Sequence, residues 1–104
     1  MLWYTTNTMD IRISEISQET PTSHTVLFEK PPGFTHKPGQ FMLFNQHIVE
    51  TDARGNRRQF SIAASPTEDF LMITTKHGES RFKEELLKKN PNDAISAVGP
   101  LGHF

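Results

Sequence analysis

Most of the chain alternates apolar and polar residues with a period of two, the pattern of strands that bury one face. From Asp10 onward, Ile11, Ile13 and Glu15 fall on one side and Arg12, Ser14 and Ile16 on the other, which predicts a half-buried first strand. A polar break over 17–22 leads to His24-Thr25-Val26-Leu27-Phe28-Glu29, a second strand rich in β-formers. So short a link predicts antiparallel pairing. Pro31-Pro32-Gly33 and Lys37-Pro38-Gly39 bracket a loop, and Gln40-Phe41-Met42-Leu43-Phe44-Asn45 beyond it is apolar on both faces, as a central third strand requires. Residues 46–57 are polar, carry the turn signal Arg54-Gly55-Asn56, and predict an exposed excursion. Arg58-Gln59-Phe60-Ser61-Ile62-Ala63 is the fourth strand, Ala64 to Asp69 a turn, and Phe70-Leu71-Met72-Ile73-Thr74-Thr75-Lys76 the fifth strand.

Only one segment switches to a helical period. Ser80 to Lys89 places Phe82 and Leu86 on one face, offers Ser80 as N-cap and Lys88 and Lys89 in the last turn, and stops at Asn90-Pro91. Ala94-Ile95-Ser96-Ala97-Val98 predicts a sixth strand, with Gly99-Pro100-Leu101-Gly102 turning away from it. The expected fold is all-β: a six-stranded antiparallel Greek-key barrel with one capping α-helix between strands 5 and 6. Closure would remove the exposed edges of an open sheet. Residues 1–8 are poorly patterned and precede Met9, so they read as an extension or a fraying end, with the barrel over 9–104.

Composition narrows the chemistry. The 104 residues make one domain that buries roughly 60–65% of its unfolded surface. With 11 Lys and Arg against 12 Asp and Glu there is no general basic field for nucleic acid, so any anion site must be local. The absence of cysteine excludes disulfides, thiolate metal sites and an iron–sulfur cluster within these residues. If electrons pass through, an organic cofactor carries them. The opening Met1-Leu2-Trp3-Tyr4-Thr5 has no basic region and no apolar run long enough for secretion or membrane spanning, which makes the cytoplasm the default expectation. His24, His36, His47, His77 and His103 show no metal-ligand spacing and read as surface histidines.

Two places break local rules. On the fourth strand, Arg58 and Phe60 share one face while Gln59 faces the other, so a cation stands beside a flat ring. That pairing suits a ligand with an anionic tail and a planar head; the plain alternative is an edge strand with an exposed Arg and a half-buried Phe. At the helix start, Arg81 and Lys83 add positive charge where the backbone dipole is already positive, and no Glu or Gln follows Ser80 by three residues to complete a capping box. A phosphate docked near Ser80, with Gly78 allowing close approach, would relieve that arrangement. Otherwise it is a surface helix with solvated charges.

Four stretches, Lys37-Pro38-Gly39-Gln40-Phe41, Arg58-Gln59-Phe60-Ser61-Ile62-Ala63, Gly78-Glu79-Ser80 and Gly99-Pro100-Leu101-Gly102-His103-Phe104, resemble in order the landmarks of the flavin-binding domain of the ferredoxin-NADP reductase family. The resemblance runs from about Asp10 to Phe104 and implies a flavin-dependent oxidoreductase with FAD as cofactor, FMN being the alternative. It implies that Arg58 pairs with flavin phosphate, with Gln59 beside it in the cofactor-binding strand, and that Phe60 packs on the isoalloxazine or ribityl group. Tyrosine is common at the Phe60 position, so a phenol hydrogen bond is lost here. Ser61 matches the catalytic position near flavin N5, although strict alternation sends it away from the Phe60 face, so its role requires local twist or a strand end. Thr74, Thr75 and Lys76 match a strand lying along the flavin, and Gly78 and Ser80 match residues that hold phosphates, largely through backbone atoms.

Reductases of this type continue from the Gly-Pro-x-Gly turn into a domain that binds NAD(P)H. Here no G-x-G-x-x-G occurs, so an NAD(P)-binding domain is expected elsewhere. The expectation is a fragment of a longer reductase, favoured because the last residues read as a linker cut short, or a flavin subunit that works with an NAD(P)-binding subunit. Either form would pass electrons to a redox partner protein or small acceptor, without nucleic acid or membrane. The competing classes are a barrel of the oligonucleotide-binding type and an interaction module without flavin.

Overall fold

The computed structural model describes residues 8–46, 56–76 and 80–102. Six strands and one helix follow in the order β1 (Thr8–Thr20), β2 (Ser23–Glu29), β3 (Phe41–Asn45), β4 (Arg57–Ser61), β5 (Phe70–Lys76), α1 (Arg81–Leu87) and β6 (Ala94–Leu101). The strands pair antiparallel in the spatial order β4-β3-β6-β1-β2-β5, the Greek-key antiparallel architecture with its helix between the fifth and sixth strands. β3 lies between β4 and β6, the central place its two apolar faces call for.

β1 serves two neighbours. Thr8 to Arg12 pair with β6, and the register with β2 shifts between Ile13 and Glu15. There Ile13 turns its backbone to the chain before β6, donating to the Asp93 carbonyl at 2.9 Å and accepting from the Asn92 N–H at 2.8 Å. The extra residue flips the alternation, so Ile16 packs against the core alongside Ile11 and Ile13. Inward positions of all strands but β4 fill that core with Ile11, Ile13, Val26, Phe28, Met42, Phe44, Leu71, Ile73, Ile95 and Ala97. Phe82 and Leu86 of α1 join them, so the helix caps the barrel with one apolar stripe.

Several boundaries differ from the pattern-based expectation. β1 begins at Thr8, inside the stretch expected as an extension, and runs to Thr20, through most of the polar break expected over 17–22, while β4 ends at Ser61, two residues short of Ala63. α1 ends at Leu87, so Lys88 is its cap and Lys89 lies beyond it; the Leu86 carbonyl accepts from both N–H groups, at 3.2 Å from Lys89, as the chain turns toward Pro91. β6 does not turn away at Gly99 but runs on to Leu101, which pairs with Phe41. The glycine makes that possible: at φ +150°, a Cβ on Gly99 would lie 2.6 Å from Met42 Sδ and 3.2 Å from the Phe41 carbonyl oxygen. Finally, Gln46 is only 6% exposed although it opens the polar stretch expected to be an excursion; alternation from Met42 and Phe44 carries it inward. Residues 47–55 of that stretch lie outside the described residues.

Candidate functional site

β4 and β5 are the two ends of the strand order, and among the described residues their seam is crossed by one backbone hydrogen bond, Ala63 N–H to the Met72 carbonyl at 2.8 Å. On β4, Arg58 and Phe60 are half-buried and point inward, while Arg57, Gln59 and Ser61 are exposed on the other face. The Phe60 ring stands 6.0 Å from Phe44 and 6.2 Å from Phe82, and Phe44 in turn stacks on Phe28 at 5.3 Å. Above this row the Arg58 guanidinium carbon lies 5.6 Å from the Phe82 ring centroid, within cation–π range.

Arg58 Nη2 donates to Ser80 Oγ at 2.6 Å, across 22 residues of sequence. Ser80 is the N-cap of α1, with extended φ −94° and ψ 130°, and the same oxygen accepts from the Lys83 N–H at 3.4 Å. The β4 cation and the helix start therefore share one spot. Ser80 is 4% exposed, so an anion arriving from solvent meets the half-buried guanidinium first. The hydroxyl partner is neutral and keeps an O–H to donate. The helix-start charge looks less awkward in space than in sequence: Arg81 pairs with Glu84 at 3.1 Å and Glu85 at 3.3 Å. Both are partly exposed pairs worth a few tenths of a kcal/mol.

The other predicted residues divide. Gln59 and Ser61 do not share the Arg58–Phe60 face, and they reach a common ligand only if it lies along the edge of β4, where Ser61 is the final residue. Thr74 and Lys76 are exposed at the end of β5, whereas Thr75 is 2% exposed and points into the barrel, leaving only its backbone to offer. Gly78 lies outside the described residues, as do His47, His77 and His103. His36 is not a surface histidine: it is 7% exposed, its Nε2 donates to the Ala64 carbonyl at 3.1 Å, and its ring tilts against Phe34. His24 is half-buried in β2. Two surface cavities, of about 420 and 530 Å³, lie elsewhere, the larger around Leu43, Arg57, Val98 and Leu101; neither is lined by Arg58, Phe60, Ser61 or Ser80.

The sequence landmarks also touch one another. Gln40 Nε2 donates to the Gly102 carbonyl at 2.9 Å, and the Gln40 carbonyl accepts from the Ile62 N–H at 3.0 Å. Three of the four stretches meet at Gln40, and Arg58 ties in the fourth through Ser80. Sequence reasoning missed Gln46, whose Nε2 donates to the Phe82 carbonyl at 2.8 Å in a buried contact.

The fold is shared with part of several reductases. No protein-family model matches the sequence, and no curated protein matches it. Among solved structures, ferredoxin-NADP+ reductase from Plasmodium falciparum superposes with a TM-score of 0.75 at 18% identity, over 99% of this chain and 41% of that one. A ferredoxin NADP+ reductase from Neisseria gonorrhoeae, solved with bound FAD and NADP, gives 0.73 at 18% identity, over 88% of this chain and 37% of that one. The cytochrome b5 reductase domain of Ulva prolifera nitrate reductase gives 0.71 at 18% identity, over 95% and 43%. The chain spans about two-fifths of the length of these structures. Its barrel is thus the one found in ferredoxin-NADP+ reductases, as the four stretches lead one to expect.

Proposed function

We propose that this chain is the FAD-binding unit of an NAD(P)H-dependent oxidoreductase of the ferredoxin-NADP reductase type, working in the cytoplasm. The reading rests above all on the 2.6 Å contact that brings Arg58 and Ser80 from distant segments to one point. Guanidinium and hydroxyl donors in reach of each other fit a phosphate, and the seam between β4 and β5 offers exposed strand edges along which the rest of a flavin can lie. The Neisseria structure with bound FAD and NADP has the same fold, which supports FAD over FMN.

Arg58 and Ser80 hold the phosphate end, and the half-buried Phe60 packs on the ribityl or ring portion with the part of its surface that Phe44 and Phe82 leave open. Thr74, Lys76 and the backbone of Thr75 line the opposite side. Ser61, at the end of β4 and exposed, presents its hydroxyl near N5, and Gln59 stands beside it on the same face. A flavin held there by Arg58, Ser80 and Phe60 would supply the redox chemistry, which the protein itself lacks groups to perform. The nicotinamide donor would be held by an NAD(P)-binding domain or subunit, and the acceptor would be a partner protein or small molecule.

The test is uptake of FAD or FMN by the purified chain, followed by visible absorbance and flavin fluorescence. Binding that falls at least tenfold in the Arg58→Ala, Ser80→Ala double variant is expected, since charged hydrogen bonds contribute about 1.5–3 kcal/mol each. A chain that stays colourless at high micromolar flavin, or a double variant that binds as the parent does, overturns the reading.

A further inference from the structure

Gln46, the residue just past β3, makes a buried side-chain hydrogen bond to α1. It sits where alternation from Met42 and Phe44 sends it into the barrel end, and its backbone is fixed as well, the Gln46 N–H donating to the Asn56 carbonyl at 2.9 Å. Its amide Nε2 reaches the Phe82 carbonyl at 2.8 Å. Phe82 lies in the first turn of α1, where its carbonyl is in register to accept from the Leu86 N–H, so the Gln46 amide is a second donor that fixes the helix start to the end of β3. The residue so held is the one whose ring lies under the Arg58 guanidinium at 5.6 Å and beside Phe60 at 6.2 Å, two positions beyond the Ser80 hydroxyl that Arg58 contacts.

We infer that Gln46 is a positioning residue for the phosphate end of the flavin site: through the Phe82 backbone it sets where the Phe82 ring, and so the Arg58 guanidinium, stands relative to Ser80. This rests on the proposed function and adds to it a group that touches no cofactor. A residue that acted only by filling the core would affect every flavin alike. One that aims Arg58 affects the phosphate alone, because FMN carries the phosphate and riboflavin does not.

The experiment measures FMN and riboflavin affinities of the 104-residue chain by fluorescence quenching for the parent, Gln46→Met and Gln46→Glu. Gln46→Met keeps the volume and removes the donor; FMN affinity is expected to fall about tenfold, the loss of one charge-assisted hydrogen bond from a misplaced Arg58 to the phosphate, with riboflavin affinity within about twofold of the parent. Gln46→Glu supplies an internal rescue. Protonated, its carboxylic acid donates to the Phe82 carbonyl; ionised, it cannot. The FMN-to-riboflavin affinity ratio, taken relative to the parent at each pH so that the phosphate's own titration cancels, should therefore be near the parent's at low pH and fall as pH rises. If Gln46→Met does not fold, this profile alone decides. A ratio unchanged in Gln46→Met, or independent of pH in Gln46→Glu, overturns the inference while leaving flavin binding by the parent intact. A parent chain that binds neither flavin overturns the functional reading beneath it.

Discussion

Phe82 joins the stability of the barrel to the geometry of Arg58, and two truncations separate those roles. Its side chain is 0% exposed, and it closes the barrel end beside Leu86. Phe82→Ala leaves a cavity that the strands cannot collapse into, at a cost of about 3–5 kcal/mol. A chain of this size has roughly 5–15 kcal/mol in total, so the variant should lose about a fifth or more of its stability. Phe82→Leu keeps most of the apolar volume and should cost under about 1.5 kcal/mol, but it removes the π face beneath the guanidinium. For a half-buried cation 5.6 Å from the centroid, that face is worth about 0.5–1 kcal/mol. Urea unfolding of the parent, Phe82→Leu, Arg58→Met and the double variant isolates the term, because loss of the Arg58–Ser80 bond is common to both arms of the cycle. A coupling energy within about 0.3 kcal/mol of zero would refute the support of Arg58 by Phe82. A cost below about 1 kcal/mol for Phe82→Ala would refute the capping role of α1.

Two further substitutions test the frame around the seam. Gly99→Ala forces a Cβ to within 2.6 Å of Met42 Sδ at a backbone angle that side chains avoid, so thermal unfolding should show a loss of about 2 kcal/mol; a melting temperature equal to the parent's contradicts the close approach of β6 to β3. His36→Leu removes the donor to the Ala64 carbonyl in a buried contact and should cost about 1–3 kcal/mol in urea titration, while a neutral result would mean that this carbonyl finds water instead.

The barrel could be read from the chain because alternation, turn residues and one helical segment agree with one another, and β5 falls on the residues expected of it, Phe70–Lys76. The ends of elements were harder. The register shift after Ile13 has no side-chain signal, since Ser14 fits a regular strand as well as a bulge. The extension of β6 through Gly99-Pro100 runs against the usual meaning of those residues and depends on Met42 and Phe41 packing over the glycine. In the site, the meeting of Arg58 with Ser80 was foreseeable from two separate broken rules. The burial of His36 was not, because a histidine in a Pro- and Gly-rich loop carries no local mark of the Ala64 carbonyl waiting 28 residues away. Gln46 was within reach: the period set by Met42 and Phe44 already turned it inward, and its polarity masked the fact.

Lys30 and Gln40 give the loop before β3 a mechanical character. Lys30 Nζ donates to the Pro66 and Glu68 carbonyls, each at 2.9 Å, and so pins the turn that follows β4. Gln40 grips the Gly102 carbonyl with its side chain and the Ile62 amide with its backbone. One residue thus joins the C-terminal end of the described chain to the peptide just past Ser61, so substituting Gln40 would loosen both at once.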